Sequence, residues 1–126
     1  MQWYAVTDEA EPDEAENAAR ERILNAWADA PLANLELCSM ILSTAREQVE
    51  LYAPAPVPLG EGEDVPDPPT RYVLAQLQQA KNLWNASRVT SSEGDIGAEG
   101  YTFTPRPLDK TIRQMIRPVD GRPHVL

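Results

Sequence analysis

The chain has 126 residues, enough for one domain whose folding buries roughly two-thirds of the surface the unfolded chain exposes. Its 20 Asp and Glu against 11 Lys and Arg leave a net charge of −9, so it lacks the basic stripe that counterion release from nucleic acid requires. No run approaches the ~18 apolar residues of a membrane span, no apolar stretch opens the chain as in a signal peptide, and the lone Cys38 excludes an intrachain disulfide and fits a reducing cytoplasm.

The charge is uneven along the chain. Residues 1–66 hold fourteen acidic and three basic side chains, a balance of −11, while residues 67–126 hold six and eight, a balance of +2. Within 105–126 five basic residues stand against two acidic ones. Such polarity suits head-to-tail stacking, in which an acidic end meets a basic one. A solvated acidic leader that keeps the protein dispersed accounts for it equally well.

Residues 1–12 read as a loosely ordered acidic leader, with Trp3 and Tyr4 able to dock and Asp8, Glu9 and Glu11 favouring water. Residues 13–52 hold two helices. Asp13 and Glu16 have the spacing of a capping box. Ala15, Ala19, Ile23, Ala26 and Trp27 then recur at helical spacing and predict a first helix over about 14–28, stopped by Asp29-Ala-Pro31. Asn34 caps a second helix over about 35–52. Its stripe of Leu35, Cys38, Leu42, Ala45, Val49 and Tyr52 alternates steps of three and four, widened by Leu37, Met40 and Ile41. Glu36, Arg46, Glu47 and Glu50 lie opposite, so this helix is stable only against partner helices.

Residues 53–69 form a connector with six prolines and the acidic run Gly60–Asp64. Its polyproline character predicts an extended spacer, and Gly60-x-Gly62, with no strand before it, is no dinucleotide fingerprint. Asp67-Pro68 is a start signal for a third helix that begins between 68 and 70 and ends at 87. Val73, Leu74, Leu77, Ala80, Leu83 and Trp84 form its expected inner face, with Gln76, Gln78, Gln79, Lys81 and Asn82 facing elsewhere. Residues 88–104 carry Gly94, Gly97, Gly100 and the alternating Tyr101-Thr-Phe103-Thr, which predicts a short β-hairpin or an ordered loop. Residues 105–126 hold a fourth helix, about 107–116, and a tail. The expected fold is mainly α: a small bundle of three to four helices, with the β-hairpin or ordered loop before the C-terminal helix and an extended C-terminal tail.

No catalytic, cofactor-binding or metal-binding set emerges. The single histidine, His124, sits in the tail, where nothing holds it to catalytic tolerance. Cys38 lies on the apolar seam of the second helix, where thiols are inert, and no second ligand completes a zinc site. The acidic pairs Asp8/Glu9, Asp13/Glu14 and Glu63/Asp64 lie on exposed segments where water levels their pKa values, and the 61–64 loop lacks the spacing of a calcium site. Asn85-Ala-Ser87 matches a glycosylation sequon, but it sits at the expected end of a helix in a chain with no export signal and is dismissed. Trp27 and Trp84 are read as core anchors.

The candidate binding surface is therefore the C-terminal segment. Arg106, Lys110, Arg113 and Arg117 recur at steps of four, three and four and make a charged face beside an apolar one of Leu108, Ile112, Met115 and Ile116. A helix this short does not stand alone. Leu108 and Ile112 are expected to pack inward. The end of the helix and the tail, with Arg122, Val125 and Leu126, are expected to reach outward to a partner or a neighbouring subunit.

Several passages, taken in order, resemble one family. Ala26-Trp27-Ala-Asp-Ala30-Pro31, Leu42-x-x-Ala45-Arg-Glu-Gln-Val49-x-x-Tyr52-Ala-Pro54 and Ala80-Lys-Asn-Leu-Trp84-Asn-Ala are similar to head-to-tail adaptor (head–tail connector) proteins of long-tailed bacteriophages, particularly those infecting actinobacteria. Ile96-Gly-x-Glu-Gly100-Tyr, Arg106-Pro-Leu108-Asp109 and Gln114-Met-Ile-Arg117-Pro118 continue the resemblance, which covers about residues 20–123. The acidic leader and the long connector depart from the pattern. The resemblance implies a non-enzymatic virion protein without cofactors, made in the host cytoplasm and placed in the neck of the particle. Its implied partners are the portal protein, the next neck protein (a stopper or tail completion protein) and copies of itself in a ring, commonly twelvefold. DNA is then only passing cargo, and no membrane is involved. The alternative from the residues alone is a small acidic regulatory module that binds a single host or phage protein through the seam of the second helix. A hydrolase using the Glu63/Asp64 loop is the third reading.

Overall fold

Three of the helices begin at a short polar side chain that satisfies free backbone amides. Asp13 accepts from the amide of Glu16 and opens α1 (Glu14–Ala26), and Asn34 accepts from Leu37 and opens α2 (Leu35–Tyr52). Asp109 accepts from Ile112 and opens α4 (Lys110–Ile116). The remaining helix, α3 (Thr70–Ser92), follows Pro68-Pro69, and the Tyr72 amide reaches the Pro69 carbonyl at 2.9 Å. Proline there costs nothing, because a first-turn amide has no intrahelical partner. These assignments come from a computed structural model that describes residues 1–55, 58–92 and 106–118, with 88–92 described by backbone alone.

Two expectations are corrected at α3. The helix runs on to Ser92 rather than ending at 87, because Arg88-Val-Thr-Ser-Ser holds no breaker and the first glycine is Gly94. The Ser87 hydroxyl donates back to the Leu83 carbonyl at 3.0 Å, so it does not compete to end the helix. The expected β-hairpin is thereby overturned: no strand occurs among the described residues, and 88–92 belong to α3. The rest of that stretch, 93–104, lies outside the described residues. So does the C-terminal tail from 119. The described fold is a four-helix, all-α arrangement.

In the core, α2 packs on α3, and α4 packs on α3 and more lightly on α2. α3 is therefore the central helix. One cluster joins Ile23 of α1 and its C-cap Trp27 to Leu37, Cys38, Ile41 and Leu42 of α2 and to Val73, Leu77, Ala80, Leu83 and Trp84 of α3. A second joins Val49, Ala75, Ile112 and Ile116, with Tyr52, Tyr72, Leu108 and Met115 at its margin. A central helix buries a wider arc than a single stripe. Gln76 and Gln79, expected to face elsewhere, are fully buried, while Leu74, expected inside, is 44% exposed.

The leader is not loose. Tyr4 and Val6 are buried in the first cluster, and Trp3 packs against both clusters. The Gln76 carboxamide accepts from the Tyr4 amide at 2.9 Å and donates to the Tyr4 carbonyl at 2.9 Å, with a further bond to the Leu42 carbonyl at 3.1 Å. Glu16 makes only half of the expected capping box. Its carboxylate accepts instead from the Thr7 amide at 2.9 Å and from Arg20 at 3.2 Å. In the connector, Glu63 closes a turn on Gly60, and Gly62 takes φ +81°, where a side chain would be strained. Asp67 caps nothing. It accepts from Gln2 at 2.6 Å.

Candidate functional site

The C-terminal segment is anchored before its helix begins. The Arg106 carbonyl accepts from Gln48 at 2.7 Å and from Gln79 at 2.9 Å, and Gln79 also donates to Gln48 at 2.8 Å. Two amides on α2 and α3 thus grip one backbone oxygen. Three residues on, Asp109 accepts from the Ile112 amide at 2.8 Å and from Asn82 at 3.1 Å, so the cap of α4 is itself tied to α3. Asn82, Asn85, Ala86, Arg106, Leu108 and Asp109 line an open cleft of about 450 Å³ at this junction. The buried Gln79 Oε1 accepts no hydrogen bond among the described residues.

The apolar side of α4 is spent inside the molecule. Ile112 and Ile116 are fully buried against Val49 and Ala75, and Leu108 and Met115 are half-buried at the edge of the same cluster. Leu108 and Ile112 therefore lie where they were expected. The end of the helix does not: Ile116 turns inward, because it follows Ile112 by four residues and shares its face. The helix end is pinned as well. Arg117 donates to the Tyr52 carbonyl at 2.7 Å, and its guanidinium lies 4.9 Å from the Tyr52 ring.

What remains available is charge. Arg106, Lys110 and Arg113 are exposed, and among the described residues Lys110 and Arg113 make no ion pair. Arg106 precedes the helix, so the helical register holds only from Lys110 through Arg113 to the C-cap Arg117. Arg122, Val125 and Leu126 lie outside the described residues, as does His124.

The other candidates resolve as follows. Cys38 is fully buried, and burial pushes its thiol up to about 11, far from a reactive thiolate. The seam of α2, proposed as a regulatory binding face, is consumed by the core at Cys38, Leu42, Ala45 and Val49. Glu63 and Asp64 are exposed, and Glu63 is engaged with Gly60. Among the described residues, no group of three or more His, Cys, Asp or Glu is placed to hold a metal ion. No described helix is long and apolar enough to cross a membrane. Trp27 and Trp84 are both buried.

Sequence reasoning missed Gln48, Gln76 and Gln79, the residues that fasten the leader and the approach to α4 to the helices α2 and α3. A signal existed. Gln76 follows Val73 by three residues and precedes Ala80 by four, and Gln79 precedes Leu83 by four, so both fall within the apolar arc of α3.

Compared with protein-family models, with curated proteins and with solved structures, the chain matches none.

Proposed function

We propose that the protein is a head-to-tail adaptor, a structural virion component that forms a ring between the portal and the next neck protein and extends the DNA channel. The observation that carries this reading is the exposed basic edge of Arg106, Lys110 and Arg113 on a chain of net charge −9. The ordered resemblance to phage adaptors supports it, and a small helical bundle suits such a part. Portal recognition then rests on this charged edge together with the 119–126 tail. Ile112 and Ile116 support the edge from within and do not touch the portal.

The test is to incubate the purified chain with isolated portal rings and image the product by electron microscopy. Adaptor rings are expected on one face of the portal. The exposed triple variant Arg106→Glu, Lys110→Glu, Arg113→Glu should keep its helical circular dichroism yet weaken docking at least tenfold, a loss of about 1.4 kcal/mol or more. Portal rings that remain bare with the unaltered chain sink the proposal.

A further inference from the structure

The first nine residues are held as a ligand is held. Seven backbone groups of this extended segment are bonded by side chains of α1 and α3. Arg22 donates to the carbonyls of Gln2 at 2.6 Å and Trp3 at 3.1 Å. Gln76 takes both the amide and the carbonyl of Tyr4, each at 2.9 Å. Glu16 accepts from the Thr7 amide at 2.9 Å, and Arg20 donates to the carbonyls of Thr7 and Glu9, each at 3.1 Å. Such bonds read backbone and ignore side-chain identity. They do the work a sheet edge does in strand addition, with no sheet present among the described residues.

Full side-chain burial is confined to two positions, with Trp3 partly buried against both core clusters beside them. Tyr4 and Val6 are buried, two residues apart and so on one face of an extended chain, while Ala5 between them is exposed. The Arg22 guanidinium covers the Tyr4 ring at 4.0 Å, adding a cation–π contact to the pocket. The segment joins α1 through Asp8–Asp13, which is exposed except at Pro12 and Glu9's bonded carbonyl. A short exposed hinge next to a self-contained bound segment is the arrangement from which chains exchange elements between copies.

We propose that the channel between α1 and α3 is a peptide-binding site for an extended aromatic-x-aliphatic segment, occupied in cis by the chain's own leader and able to take the leader of a second copy in exchange. The second copy is the occupant the chemistry selects, since its leader presents the same seven backbone groups and the same Tyr4 and Val6. Its Glu9 carbonyl also presents the same acceptor to Arg20. The inference does not depend on the adaptor reading.

The test uses the full chain, isotope-labelled, and an unlabelled synthetic peptide of residues 1–10, followed by nuclear magnetic resonance. A short tether holds the resident leader at an effective concentration of about millimolar, so half-displacement is expected at about millimolar peptide. The labelled Tyr4 and Thr7 backbone signals should then move to the positions of an unbound chain. The Gln76 side-chain amide should keep its bonded position, because the incoming Tyr4 replaces the resident one. A peptide carrying Tyr4→Ala should need at least about tenfold more to do the same. If the labelled Tyr4 and Thr7 signals stay in place at several times about millimolar peptide, or if the Tyr4→Ala peptide displaces them equally well, the leader is a fixed part of the core and the proposal fails.

Discussion

Gln76 shows how much one side chain decides. A carboxamide carries a donor and an acceptor on adjacent atoms, as a peptide group does, so it pairs with both polar atoms of Tyr4 and still reaches the Leu42 carbonyl. Replacing it with Leu keeps the volume and removes three bonds, leaving the Tyr4 amide and carbonyl to be buried unpaired. The cost is expected at about 2–3 kcal/mol, because unpaired buried groups cost more than their bonds return. Gln76→Glu should be worse near neutral pH. A carboxylate accepts from the Tyr4 amide but faces the Tyr4 and Leu42 carbonyls without a proton to offer. Burial and those oxygens raise the folded pKa of such a glutamate above its unfolded value near about 4.3. Its deficit is therefore small below that value and grows as pH rises through the folded pKa. Urea titrations of the chain and both variants at acid and neutral pH check this. A Gln76→Glu deficit that does not grow with pH would contradict the placement of the side chain. Its place within the apolar arc of α3 is the one signal in the sequence, and reading polarity as exposure hides it, a rule that holds for most glutamines and fails where the side chain finds backbone partners.

At the scale of elements, what could be read was local and what could not was tertiary. α2 lies at Leu35–Tyr52 with Asn34 as its cap because cap, stripe and polar face all agree within the one segment. α1 and α4 begin at aspartates visible in the sequence, yet α4 starts at Lys110 rather than 107, because the bonded Arg106 carbonyl and Pro107 hold the approach extended. Alternation over Tyr101–Thr104 suggests a strand, and those residues lie outside the described ones, while the 88–92 part of the same stretch continues α3 because it holds no glycine or proline. The burial of Ile112 and Ile116 also divides the C-terminal segment into two parts that respond differently to truncation. Ending the chain after Pro105 removes both isoleucines, each worth about 1.5–3 kcal/mol when fully buried, and strips Gln48 and Gln79 of their shared acceptor. That chain should melt far below the full one or without a cooperative transition. Ending it after Pro118 keeps α4 and the Arg117–Tyr52 bond, so its melting temperature should fall by no more than about 2–4 °C. Thermal circular dichroism on the two truncations shows how far the fold depends on α4 and how far on residues 119–126.

Over the whole molecule, the leader and the approach to α4 are both fastened to α3 by amides, and the charge they bring differs in sign. The leader and α1 add to a balance of −11 over residues 1–66, while the edge beside α4 is basic. The ion pairs among the described residues are few and solvent-screened: Arg46–Glu50 is about half exposed on both sides, and only Arg20–Glu16 is largely covered. Self-repulsion among carboxylates therefore outweighs pairing, and salt should relieve it. Raising the ionic strength from about 0.01 M to about 0.15 M shortens the screening length from about 30 Å to about 8 Å, less than the span of α2 or α3. The melting temperature should rise across that range by about 2–4 °C, a gain of under about 1 kcal/mol. Docking of the basic edge should respond in the opposite direction, since attraction between unlike charges weakens under the same screening. On the proposed adaptor reading, a fold that strengthens with salt while docking to the portal weakens is the expected signature, the acidic residues bearing on stability and the small basic edge on recognition. A melting temperature that falls with added salt would place net attraction, rather than repulsion, inside the folded chain.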